Sequence, residues 1–120
     1  MATYKITSHS GSGRPLNVAT TSTISGRTNV NIWNDTGSND QKWSIASLGS
    51  GQQVKSMNNT RYMLNANTST WNCDVYTSNS DTYVNFVPLG SGVYRIQLDS
   101  DKTKYLTAEG TASGSNVKWA

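Results

Sequence analysis

Two short stretches of this chain set a polar side chain two residues before an aromatic ring: Asn31-Ile32-Trp33 and Asp74-Val75-Tyr76. Residues i and i+2 of an extended chain point the same way, so each pair presents an amide or carboxylate beside a ring on one face. An aromatic plate gives apolar contact without asking for a hydrogen bond, while the group beside it reads donors and acceptors. Such a pairing suits a ligand with vicinal hydroxyls on one side and a patch of C–H groups on the other. A third stretch, NDQKWSI at 39–45, places Gln41, Trp43 and Ile45 on one face. With Trp43 and Ile45 in a core, Gln41 stands at its rim. There its amide either pins the preceding turn or meets a polar ligand with both a donor and an acceptor.

Residues for other chemistry are scarce. The chain has one histidine (His9), one cysteine (Cys73) and one glutamate (Glu109). His9 lies in the Gly/Ser turn SHSGSGR, and Asp35 and Asp40 flank a stretch whose Asn34, Gly37 and Asn39 read as turn formers. An enzyme needs tuned acids, bases or nucleophiles, so the expectation is a non-catalytic chain. A lone cysteine forms no intrachain disulfide and, with a single histidine, builds no Cys/His metal cage. Cys73 reads as buried filler, and no cofactor or metal is expected.

The chain has 120 residues, enough for a single domain (1–120). Only 34% of residues are hydrophobic and 14% charged; the polarity comes from Ser, Thr, Asn and Gly. The net charge of +3 is carried by dispersed residues, with only Lys102 and Lys104 close together, which argues against nucleic acid as a partner. No segment is apolar enough to cross a membrane as a helix. The opening MATYKITSHS lacks the charged and apolar regions of a signal peptide, so the expectation is cytoplasmic synthesis, with action outside the cell reached by another route.

The elements that must position these side chains are short and alternating. Apolar and polar residues take turns in YKITS (4–8), PLNVA (15–19), NVNIW (29–33), QKWSI (41–45), VKSM (54–57), YMLNA (62–66), DVYTS (74–78), YVNFVP (83–88), YRIQL (94–98), YLTA (105–108) and NVKW (116–119). Period-two alternation with Gly, Ser, Asn and Asp between the runs is the signature of strands and turns. The runs repeat with a step near 43 residues, which separates Asn31 from Asp74 and Trp43 from Phe86. TNVNIW (28–33), NCDVY (72–76) and SNVKW (115–119) mark a third set. Self-similarity at a fixed period predicts repeat architecture. We expect an all-β fold, a β-trefoil of three four-stranded repeats at about 1–48, 49–90 and 91–120. The third lacks its last strand, since a partner to Trp43 and Phe86 would fall near residue 129.

Three repeats of this length, with Gln41-Lys42-Trp43 in the first, resemble the ricin B-chain-like (R-type) lectins over essentially the whole chain. In the second repeat the Q-x-W place falls on Val84-Asn85-Phe86, and in the third it is absent. The resemblance implies a β-trefoil that binds sugars, often galactose or N-acetylgalactosamine (GalNAc), without catalysis. It carries the family's acidic hydroxyl acceptor onto Asn17, the polar residue and aromatic platform onto Asn31 and Trp33, and the polar residue before Q-x-W onto Asp40, next to Gln41. In the second repeat the same places hold Asn65, Asp74 and Tyr76, with Tyr83 for Asp40. In the third they hold Thr107 and Lys118, with the platform on Ala120, or on Trp119 if one residue is deleted.

Two features depart from the family pattern. Asn17 and Asn65 replace a carboxylate by an amide, and charge-assisted hydrogen bonds are roughly twice as strong as neutral ones. Asp40 and Asp74 are placed to supply the lost charge. The sequence thus marks repeat one as the best site, repeat two as a second and repeat three as incomplete. Trp71, in the loop NANTSTWNC, reads either as a stacking ring or as a tryptophan folded onto its own hairpin. The implied partners are glycans or glycoproteins. The alternative is a protein-binding trefoil, an inhibitor or toxin-complex component with decayed sugar sites, whose open third unit pairs with a homodimer mate or a missing-strand partner.

Overall fold

The computed structural model describes residues 2–9, 12–49 and 51–120. Among these residues ten strands follow one another: β1 (Leu16–Val18), β2 (Thr28–Ile32), β3 (Trp43–Leu48), β4 (Gly51–Ser56), β5 (Met63–Asn67), β6 (Asn72–Tyr76), β7 (Val84–Gly90), β8 (Val93–Leu98), β9 (Leu106–Ala108) and β10 (Val117–Trp119). One 3₁₀ turn, Asn39–Gln41, precedes β3. The alternation read in the sequence sorts the faces. In β1 and β2, Leu16, Val18, Val30 and Ile32 turn inward, while Asn17 and Asn31 lie on the opposite face.

The topology is a β-trefoil. Strands β3, β4, β7 and β8 pair antiparallel in sequence as the staves of a barrel, β3 with β4, β4 with β7 and β7 with β8. The hairpins β1–β2, β5–β6 and β9–β10 form the cap, and β6 pairs with both β2 and β10. The first expected strand, YKITS, joins this frame through two bridges, Tyr4 to Trp43 and Thr7 to Pro15. The interior is filled by one residue type set from all three repeats, among them Val18, Val30, Trp43, Val54, Leu64, Cys73, Val75, Val84, Leu98 and Trp119. Both buried indoles keep their N–H satisfied: Trp43 Nε1 donates to Leu16 O and Trp119 Nε1 to Asn65 O, each at 3.2 Å.

At the meeting point of the three hairpins, three asparagines close a ring. Asn29 Nδ2 donates to Asn116 Oδ1 (2.9 Å), Asn116 Nδ2 to Asn72 Oδ1 (2.7 Å), and Asn72 Nδ2 to Asn29 Oδ1 (2.8 Å). This ring fixes Asn29, Asn72 and Asn116 as equivalents. The cross-strand pairs agree with it, Asn17 facing Asn31, Asn65 facing Asp74 and Thr107 facing Lys118.

The same correspondence corrects one pairing. Trp43 faces Ser56, whose N–H bonds Tyr62 O; Val84 faces Leu98, whose N–H bonds Lys104 O. Trp43 is therefore matched by Val84, fully buried like it, and not by Phe86. Phe86 is half-buried and meets Tyr94 edge-on, with centroids 6.1 Å apart. Matching ring to ring slid the register by two residues, because the deep position in repeat two takes a valine. The position of Gln41 then belongs to Thr82, not Val84, and that of Asp40 to Asp81, not Tyr83. Gln41 and Thr82 are both buried, and their N–H groups bond Ser38 O and Asn79 O alike.

Among the described residues the third repeat contributes β8, β9 and β10 and no fourth stave. The barrel is open there. A cavity of about 1000 Å³ lies between the Tyr4–Thr7 segment and β8, lined by Ile6, Ile45, Phe86, Ile96 and Leu106 among others.

Candidate functional site

In repeat one the antiparallel register of β1 and β2 sets Asn17 directly opposite Asn31 on the face away from the core. Asn17 Nδ2 donates to Asn31 Oδ1 at 2.8 Å. Asn31 Nδ2 makes no hydrogen bond among the described residues, so its two N–H groups are available to a ligand. Trp33, two residues on, is 42% exposed, and one edge of its ring lies over Gly114, where a Cβ would come within 3.2 Å of Cζ3. Gly114 has φ +92, a conformation that suits glycine, so the loop passes close beside the ring without covering it by a side chain.

Gln41 stands behind this group and is 1% exposed. Its Oε1 accepts from Thr36 N at 2.9 Å, and its Nε2 donates to Asn34 O at 2.7 Å and to Asn17 Oδ1 at 3.3 Å. The amide thus ties the loop after Trp33 to the floor of the site. Of the two roles open from sequence, the pinning of the turn is the one its contacts describe. Asp40, beside it, accepts from Asn58 Nδ2 at 2.5 Å. Asn58 also donates to Ser22 O and accepts from Ile24 N, both at 3.0 Å, so it holds the β1–β2 loop as a wall next to Asp40. The far side of the site is braced by Arg14, which donates to Asn34 Oδ1 and, at 3.0 Å, to Thr111 O. Asp35 is turned outward to Lys5, 2.6 Å away, and this hydrogen bond holds its carboxyl below the usual range.

Repeat two brings Asn65, Asp74 and Tyr76 together, but Asn79 and Arg27, the latter from repeat one, fill the arrangement. Asn65 Nδ2 donates to Asp74 Oδ1 at 2.6 Å, and Asn65 Oδ1 accepts from Asn79 Nδ2 at 3.0 Å. The other Asp74 oxygen accepts from Arg27 Nη1 at 3.0 Å. The Arg27 guanidinium lies 4.2 Å from the centroid of Tyr76, stacked on the ring. The hydrogen bond to Asp74, reinforced by its charge, raises the pKa of Arg27 further. Asn65 and Asp74 are buried, 2% and 3% exposed, whereas Asn17 and Asn31 are half-buried.

In repeat three Thr107 bonds back to Tyr105 O at 2.8 Å, and the asparagine ring assigns the platform place to Ala120. Trp119 is core. Trp71 is half-buried against that core, with its carbonyl bonded by Trp119 N and Lys104 Nζ 4.6 Å above its ring, so it packs against the third repeat and is covered there by a lysine.

Sequence reasoning missed Asn58, Arg27 and Asn79. Asn79 had a local signal: SNSDT (78–82) matches GSNDQ (37–41) on its Asp, which would have aligned Asp81 with Asp40. Arg27 had none, since it reaches a ring 49 positions further on. Among the described residues no His/Cys/Asp/Glu group could hold a metal ion, and no helix is long and apolar enough to cross a membrane.

No protein-family model and no curated protein matches the chain. Solved structures do. A designed threefold-symmetric protein, ThreeFoil, is 25% identical, with 98% of this chain and 87% of that one covered at a TM-score of 0.82. An exo-beta-1,3-galactanase from Clostridium thermocellum is 22% identical at a TM-score of 0.87; 99% of this chain is covered, but it spans only 27% of the galactanase. The C-half of the earthworm R-type lectin, solved in complex with GalNAc, is 16% identical at a TM-score of 0.76, with 100% and 88% covered. With its three-hairpin cap and these neighbours, the chain has the β-trefoil fold.

Proposed function

We propose that the chain is a non-catalytic carbohydrate-binding domain of the R-type lectin kind, reading glycans through repeat one. The observation that carries this reading is the exposed Trp33 plate beside Asn17 and Asn31, braced from behind by the buried Gln41. A sugar lays its C–H face on Trp33 and offers its hydroxyl oxygens to the N–H groups of Asn31 and Asn17, while Asp40 accepts from a hydroxyl at the rim. Asn17 Oδ1 already receives Gln41, so the site works by donation where a carboxylate would accept. Galactose or GalNAc is the class we favour; the fold neighbour from earthworm was solved with GalNAc. Asp35 is paired with Lys5, and Asp40 receives Asn58 on Oδ1, which leaves its second oxygen to the sugar hydroxyl.

A glycan array with the purified chain, repeated with Trp33→Ala and Asn17→Ala, tests this. A coherent set of glycans lost in both variants is expected. An empty array from a folded chain, or binding untouched by Trp33→Ala, overturns it.

A further inference from the structure

The asparagine ring allows a comparison that the sequence alone does not. Two residues before Asn29, Asn72 and Asn116 stand Arg27, Thr70 and Gly114, so these three occupy one equivalent position. In the first repeat that position leans on the platform of the second, with Arg27 stacked on Tyr76. In the third repeat it leans on the platform of the first, with Gly114 against Trp33. The same lever therefore serves two platforms in turn, and its residue type sets whether the platform is covered.

We propose that Arg27 is a built-in occupant of the repeat-two pocket, which is a latent glycan site closed by this side chain. The proposal rests on the glycan reading of repeat one and extends it to the second repeat. The guanidinium makes the two contacts a bound sugar would make: a flat face on Tyr76 at 4.2 Å and a donated hydrogen bond to Asp74 at 3.0 Å. Asp74 keeps its second oxygen on Asn65, so the remaining polar set is already aligned beneath Arg27. Glycine at the equivalent position leaves Trp33 exposed in repeat one. In repeat three there is no platform to cover, because Ala120 holds that place. The native chain is then monovalent, and removing Arg27 makes it bivalent.

The test is a titration of GalNAc into the native chain and into Arg27→Gly, followed by NMR of the Trp33 indole and the Tyr76 ring, with stoichiometry from calorimetry. We expect the native chain to shift Trp33 alone, with one sugar per chain. Arg27→Gly should shift both rings and bind two, and adding Tyr76→Ala should return it to one. On a dense glycan surface the second site should slow release by about a hundredfold through avidity. Arg27→Thr, which installs the residue of the third repeat, is the second variant if glycine loosens the loop.

A folded Arg27→Gly or Arg27→Thr chain in which Tyr76 stays silent overturns the proposal, as does a native chain in which Tyr76 already responds. A native chain silent at Trp33 refutes the repeat-one reading instead, and the Tyr76 signal of Arg27→Gly still decides the role of Arg27.

Discussion

Replacing Gln41 by alanine removes three hydrogen bonds at once, to Thr36 N, Asn34 O and Asn17 Oδ1. Each bond contributes about 1 kcal/mol net, and partly buried partners left unmatched add to the loss, so the variant should be less stable by about 3 kcal/mol. That is a large share of the roughly 5–15 kcal/mol that holds a domain together. With a urea slope of about 2 kcal/mol/M, the unfolding midpoint should fall by about 1.5 M. The lost bonds also free the segment after Trp33, so affinity for the glycan found on the array should drop by about tenfold. Gln41→Glu keeps the acceptor for Thr36 N but turns a buried carboxylate oxygen toward Asn34 O and Asn17 Oδ1, so it should destabilise at least as much as alanine. Urea unfolding followed by tryptophan fluorescence, with glycan titration of the same samples, reads both. A midpoint moved by less than about 0.3 M would refute the bracing role of Gln41. The loop would then be held by Arg14 and by the bond from Asn34 N to Ser113 Oγ.

Two further perturbations probe the interior. Burial pushes the Cys73 thiol well above its ordinary value, so its folded pKa exceeds its unfolded one. Stability is then complete below about pH 8.5 and falls by about 1.4 kcal/mol per pH unit above it, a slope that Cys73→Ala should remove in urea titrations at pH 8–10. At the open side of the barrel, an environment-sensitive apolar dye should bind the native chain and lose most of its signal in Phe86→Ser; a native chain that leaves the dye dark would mean that the seam is shut in solution.

The trefoil was legible because its signals are local. Alternation in LNV and TNVNI sorts core from surface residue by residue, and the spacing of Asn31-Trp33 and Asp74-Tyr76 carried through to the faces they occupy. The failures came where packing chose against resemblance. A valine, Val84, fills the buried place of Trp43 in repeat two, and the aromatic look-alike, Phe86, lines the cavity at the seam. The state of repeat two was illegible for another reason. Whether Tyr76 is bare depends on Arg27, and only the completed fold brings those two together.

The asparagine ring has one more property. Each amide gives to one neighbour and takes from the other, so the ring has a sense of rotation: 29 to 116, 116 to 72, 72 to 29. Turning a single amide over would set donor against donor on one side and acceptor against acceptor on the other. A ring of three satisfies every member only when all circulate clockwise or all anticlockwise. The three hairpins therefore share a single two-valued orientation at their hub, and it reverses for all of them together or for none.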